Sequence, residues 1–329
     1  MTQLTRRHLL GGAGTVGAAL ALSPFAAHSP VHAAAPPTGK QASGFYRYKV
    51  GDYELTQIHD GALNIPMPNG FVKNVSREQA LAAAEAAYMP KGRVVVPFNP
   101  VVINTGSKLV LIDSGFGAVN PMAGQLPANL AAAGIDAKAI DIVILSHLHP
   151  DHINGVKTKD NQLAFPNAEI KVPAPDWAFW MSEENNSKAQ SSPMMKAYFG
   201  NVRRVLADIA GKLTRYEADK EVAPGITSIA THGHTPGHMS FAVASGSSRA
   251  LVQSDVTNIP ELFLRHPDWH VAFDVDPAAA AKTRHRFYDM AAAEKAPVIG
   301  FHFPFPSVGH VEKAGDGYRL IPLRWSATL

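Results

Sequence analysis

Six residues constrain this chain more than any other feature: His147-Leu148-His149-Pro150-Asp151-His152. They follow a short β-branched run, Asp141 to Ser146, of the kind that forms a buried strand. In extended chain, residues i and i+2 point the same way, so His147 and His149 can grip one metal ion. Pro150 stops strand pairing and favours a turn. Asp151 and His152 then leave in a new direction, suited to a second metal nearby. Imidazole suits zinc and other transition ions, and a carboxylate adds hard-ligand character.

Such a site also needs distant ligands, and the candidates are few. Of 15 histidines, three lie in the first 35 residues. The clearest remaining cluster is Thr231-His232-Gly233-His234-Thr235-Pro236-Gly237-His238. Asp255 ends an apolar strand, where an unpaired carboxylate would be costly to bury. His302 likewise follows an apolar run, Val298 to Phe301, read as the last core strand. Loops at strand ends are where such groups gather.

The rest of the pattern alternates strands and helices. Strands are expected at Tyr53 to Ile58, Val94 to Asn104, Lys108 to Ile112 and Ala168 to Val172, then at Ile226 to Ala230, Ser240 to Ala244 and Ala250 to Gln253. Ser76 with Gln79 makes a capping box before an alanine-rich helix over 77–88. Further helices are expected at about 127–133, Asp176 to Glu183, Ser192 to Leu213, and from Asp276 to before Pro297. A faint internal echo relates Gly106-Ser107-Lys108-Leu109-Val110…Asp113 to Gly246-Ser247…Leu251-Val252…Asp255. Two sheets with helices on their outer faces would fit this order.

Residues 1–35 read as an export leader: Arg6-Arg7, a Gly/Ala-rich apolar run to Leu22, and a small-residue cleavage site near 33–35. The arginine pair suggests the twin-arginine route, hence a periplasmic or secreted protein. The apolar run is too short for a stable membrane span. Residues 36–44 form a linker, and 45–329 the functional domain. Gly12, Gly14 and Gly17 spell a dinucleotide-type fingerprint, but no strand precedes them, so it is discarded. The leader holds both arginines and no acid, so the remaining chain is nearly neutral and carries no basic tract for nucleic acid. There is no cysteine, which excludes disulfides, thiolate ligands and a cysteine nucleophile. No G-x-S-x-G occurs, which argues against a serine hydrolase.

The order H-x-H-x-D-H, G-H-T-P-G-H, strand-end aspartate and late histidine resembles the metallo-β-lactamase superfamily, and within it the methyl parathion hydrolase group. Supporting segments are Asn104 to Leu111, Leu163 to Ala168, His232 to His238 and His302-Phe303-Pro304-Phe305-Pro306. The resemblance implies an α+β fold, a four-layer αββα sandwich. It implies that His147, His149 and His234 hold one metal, that Asp151, His152 and His302 hold the other, and that Asp255 bridges them. The expected cofactors are two divalent ions, zinc first, with Mn, Co or Fe as alternatives. Asp151 and Asp255 are then the candidate catalytic carboxylates, with a metal-bridging hydroxide cleaving a small aryl ester, lactone or organophosphate triester. Alternatives are a cysteine-free β-lactamase and a mononuclear iron dioxygenase of the same fold, the latter disfavoured by the complete second ligand set. The expected partners are a small-molecule substrate and a second copy of the chain in a homodimer.

The chain departs from the family at Ser254, where glycine usually precedes the bridging aspartate, and at Asn154, where glycine often follows H-x-H-x-D-H. Around Val119, between Phe116 and Gln125, it lacks the aromatic of the parathion-hydrolysing enzymes. Asp113, His232 and His238 are read as neighbours of ligands. His310 is a supporting or a turn residue, and His59-Asp60-Gly61 a strand end and turn. Trp180, Phe303 and Phe305 are candidate substrate-pocket walls, against the plain reading of core packing.

Overall fold

The computed structural model describes Thr38, Gly39 and residues 41–329. The 1–35 leader, with Pro36, Pro37 and Lys40 of the linker, lies outside them. Ser43–Leu329 forms one unit.

The first half runs β1 (Phe45–Val50), β2 (Tyr53–Ile58), β3 (Gly61–Pro66), α1 (Arg77–Ala86), β4 (Arg93–Phe98), β5 (Val101–Asn104) and β6 (Leu109–Ile112). It continues with α2 (Leu126–Ala132), β7 (Ile142–Ile144), α3 (Pro150–Ile153), β8 (Glu169–Pro173), α4 (Ala174–Met181), α5 (Glu183–Ala189), α6 (Pro193–Leu206) and β9 (Leu213–Tyr216). The second half holds β10 (Glu221–Ala223), β11 (Ile226–Ala230), β12 (Met239–Ser245), β13 (Ser248–Ser254), α7 (Pro260–Phe263), α8 (Pro277–Glu294), β14 (Pro297–Gly300), β15 (Val308–Ala314) and β16 (Gly317–Pro322).

These make two seven-stranded sheets, ordered β1-β2-β5-β6-β7-β8-β9 and β10 to β16, with β3 and β4 as a separate hairpin. The pairs β6–β7, β7–β8, β8–β9 and β13–β14 are parallel, and the rest of each sheet is antiparallel. Alternation along β5, β6 and β7 explains the layering. Ile103, Val110, Ile112 and Ile144 face the second sheet and pack with Ile226, Phe241, Val252 and Ile299. Val102, Leu111 and Val143 face outward, under Leu130, Trp180, Phe199 and Val202 of the helices. Both faces are covered, so these strands are apolar at every position except the exposed Asn104 at the end of β5. On the far side, Leu251 and Val298 pack beneath Phe287, Tyr288 and Ala291 of α8. The result is the expected αββα sandwich.

Several boundaries differ from expectation. Val94 to Asn104 is two strands, because Asn99-Pro100 breaks the run and sends β4 to the hairpin. The Asp176 helix begins at Ala174, stops at Met181, and restarts at Glu183 where the Ser182 side chain caps it. Ser192 to Leu213 is a helix only to Leu206; a 3-10 turn and β9 follow. The strand ending at Gly300 is not the last, since β15 and β16 extend the second sheet. Among the described residues no helix is long and apolar enough to cross a membrane.

Candidate metal centre

The site assembles at strand ends of both sheets. β7 leads through Leu145 and Ser146 into His147, and Pro150 opens α3 with Asp151 and His152 in its single turn. β11 leads to His234, β13 to Asp255, and β14 to His302. The structure brings all seven together in three overlapping sets: His147, His149 and His234; His147, His152 and Asp255; and Asp151, His152 and His302. Within each set the candidate ligand atoms lie within 4.8 Å of one another. Asp255 sits between the sets. Its Oδ2 is 3.3 Å from His234 Nε2 and 3.1 Å from His302 Nε2, and its Oδ1 is 3.2 Å from His152 Nε2. Asp151 Oδ2 lies 3.3 Å from His302 Nε2.

The fit to cations rests on unpaired atoms. Nε2 of His147, His149 and His152, and Oδ1 of Asp255, are buried without a hydrogen bond. Buried polar atoms are rarely left so, and each would cost roughly 1–3 kcal/mol. Lone pairs converging on a common space are what a metal pair satisfies. Burial, with help from neighbouring imidazoles, holds His147 and His149 well below the ordinary histidine range, so both rings are neutral, the form a metal ion would bind. Burial works against charge on His234 and His302 too. There the carboxylates prevail, Asp255 and Asp274 at His234, and Asp255 and Asp151 at His302, lifting each to about 9. A cation entering the site therefore displaces protons.

Outer contacts aim the rings. His152 Nδ1 donates to Asp113 Oδ2 at 2.9 Å, and Asp113 also accepts from Ser146 N at 2.7 Å and Ser146 Oγ at 2.8 Å. His302 Nδ1 donates to Pro97 O at 2.7 Å, and His234 Nδ1 to Asp274 Oδ1 at 2.8 Å. Each bond fixes the tautomer and turns Nε2 toward the centre. His238 Nε2 accepts from Asp255 N at 3.0 Å while its Nδ1 faces Thr231, so it positions the aspartate backbone and is no ligand. His232 is outside the cluster, and His310 lies against Lys295 O away from it.

Two supports were not read from the sequence. One is Asp274, forty residues from its histidine. The other is Asp176, a buried carboxylate accepting from Leu148 N (2.9 Å), Gly237 N (2.7 Å) and Trp180 Nε1 (3.2 Å). It ties the two histidine loops together. Gly237 has to be glycine, since a Cβ there would lie 2.1 Å from Asp176 N.

A cleft of about 200 Å³ opens over the cluster. Leu63, Ile65, Phe71, Val96, Phe98 and Phe273 form its apolar wall, together with Phe116. Phe116 thus supplies an aromatic at the edge of the stretch that was read as lacking one. Polar lining outside the cluster comes from Tyr198 and Asn258. The Tyr198 ring is 4.7 Å from His149, and its hydroxyl bonds to no described residue. Trp180 and Phe303 do not line this cleft. Both are fully buried, Trp180 with its indole N–H on Asp176 and Phe303 in the core beneath α8. Phe305 is exposed, with its ring edge-on to His59 outside the cleft.

The fold and the buried histidine and aspartate set are those of a metal-dependent hydrolase. Residues 94–302 match the metallo-β-lactamase superfamily, and the chain belongs to it. Among solved structures it is similar to AidC, a dizinc quorum-quenching lactonase in complex with a product, at 29% identity and TM-score 0.81, over 86% of this chain and 99% of that one. It is similar to AbOPH, a hydrolase in the β-lactamase superfamily, at 27% identity and TM-score 0.81, over 87% and 100%. A probable metal-dependent hydrolase from Staphylococcus aureus, 21% identical with TM-score 0.67 over 86% and 100%, shares the fold.

Proposed function

We propose that this protein is a binuclear zinc-dependent hydrolase of small ester-like substrates, with lactones as its main class. The observation that carries this reading is the convergence of buried, unpaired imidazole nitrogens and Asp255 beneath an apolar cleft. His147, His149 and His234 would hold one ion and Asp151, His152 and His302 the other, with Asp255 placed between the two sets to serve both. Two such ions supply Lewis acidity and a water whose pKa falls from about 15.7 toward 7.

The chain's own groups do the rest. The Phe116 and Phe98 side of the cleft excludes water from the alkyl part of the substrate. Tyr198 is kept protonated, because burial and the charges of Asp151 and Asp255 push its phenol well up. It can donate to the oxygen that gains charge. Asp151, at the cleft and 3.5 Å from His152 Nε2, is ionised and placed to take up the proton that the attacking water loses and return it to the leaving alkoxide. Similarity to a dizinc lactonase favours lactones over the phosphotriesters suggested by the methyl parathion hydrolase resemblance. The leader's arginine pair supports action outside the cytoplasm, checked by fractionating cells expressing the full chain.

The test is metal analysis combined with a pH-stat assay on N-hexanoyl-homoserine lactone, an aryl ester, a phosphotriester and a β-lactam. Two zinc equivalents per chain, lactone opening, and loss on chelation with recovery on zinc addition are expected. One iron per chain, or lactone opening that survives chelation, would overturn the proposal.

A further inference from the structure

The reading above leaves one polar group of the cleft without a task. Asn258 lines the cleft beside Asp255 and His302 and is only 3% exposed. Its carboxamide bonds to no described residue. A carboxamide has two donor hydrogens and an acceptor oxygen. Those of Asn258 are not among the polar atoms sealed without a partner, so they open onto the cleft and are available to what enters it.

The turn that carries Asn258 is braced and cannot swing to find a partner elsewhere. Gln253 Oε1 accepts from Thr257 N at 3.0 Å, and Gln253 Nε2 donates to Thr257 O at 2.7 Å. Tyr288 Oη donates to Gln253 Oε1 at 2.5 Å, and Arg284 Nε donates to Val256 O at 3.1 Å. Every one of these bracing groups is buried. A polar group fixed in this way is preorganised for a ligand.

The chemistry of the group narrows the ligand. A carboxamide presents donor and acceptor side by side, which matches the C=O and N–H of a secondary amide. A plain ester or a phosphotriester offers acceptors only and would leave the Asn258 oxygen unpaired. The rest of the wall is apolar and suits an alkyl chain. We infer that Asn258 is a specificity-determining residue that reads an amide next to the scissile ring, selecting lactones that bear an N-acyl chain. This rests on the lactone reading above.

The test compares two substrates on one preparation of zinc-loaded full chain: N-hexanoyl-homoserine lactone, and γ-decalactone, an alkyl lactone with no amide. The ratio of their kcat/KM values does not depend on the fraction of enzyme that is folded or loaded. Wild type is expected to favour the amide-bearing lactone by about tenfold or more, since a site built for a hydrogen-bonding group rejects the analogue lacking it. In Asn258→Leu the ratio should fall toward one, and Asn258→Gln should recover part of it. A ratio unchanged in Asn258→Leu overturns the role of Asn258 and leaves the lactonase reading intact. Opening of neither lactone by wild type overturns the lactonase reading itself.

Discussion

Replacing Ser254 with glycine should stabilise the protein. Ser254 sits at φ +50°, in the left-handed region, immediately before Asp255. A side chain in that conformation costs roughly 1–2 kcal/mol. Its Oγ is also buried without a hydrogen-bond partner, a further cost of roughly 1–3 kcal/mol. Glycine removes both costs and adds about 0.5–1 kcal/mol of backbone entropy lost on folding. The net expectation for Ser254→Gly is roughly 1–4.5 kcal/mol of added stability. Ser254→Ala separates the terms, because it deletes the hydroxyl and keeps the strain, so it should gain less. Urea unfolding at one fixed zinc concentration measures both, since bound metal shifts apparent stability by mass action. A Ser254→Gly protein no more stable than wild type would refute the argument. An alanine variant equal to glycine would remove backbone strain from it.

Three other changes follow from the same geometry. Burial, and then the neighbouring His234, hold His238 down to about 3, against 6.5 unfolded, so its contribution is complete above pH 6.5 and lost as pH falls. Unfolding free energy should drop by roughly 2 kcal/mol from this group between pH 7 and 5, and Asn or Gln at 238 should flatten that part of the profile. Asp274→Ala removes the acceptor behind His234 and should weaken zinc binding about 10–100-fold in a chelator competition; unchanged affinity would contradict the role given to Asp274. Gly155→Ala would place a Cβ 1.7 Å from Ser114 O, next to Asp113, so a lower melting temperature and lower metal content are expected together.

Within the cluster, only the run from His147 to His152 was readable from local spacing; His234, Asp255 and His302 were candidates from their places after strands and from the family resemblance. His147 and His149 alternate on extended chain, and Asp255 and His302 each end an apolar strand. The glycine preference at position 254 also acquires a physical cause in the positive φ found there, whereas Asn154 sits at φ −63° and needs no glycine. What acts through tertiary contact was not readable. Asp274 meets His234 across forty residues that include β12, β13 and α7, and no periodicity marks it. Trp180 illustrates the converse: an aromatic stripe on a helix looks the same whether it walls a pocket or fills a core, and here Asp176 holds it in the core. The last hairpin was missed because β15 and β16 carry charged outward residues such as Glu312, Lys313 and Arg319, which dilute the strand pattern.

Neither half of the sandwich owns a complete donor set. His147, His149, Asp151 and His152 belong to the first sheet's loops, and His234, Asp255 and His302 to the second's. An ion pair held here would act as a clasp across the seam between the halves. Cohesion of that seam and zinc supply then become one linked quantity: a chain starved of metal should open first along this boundary, and hydrogen exchange there should report zinc occupancy.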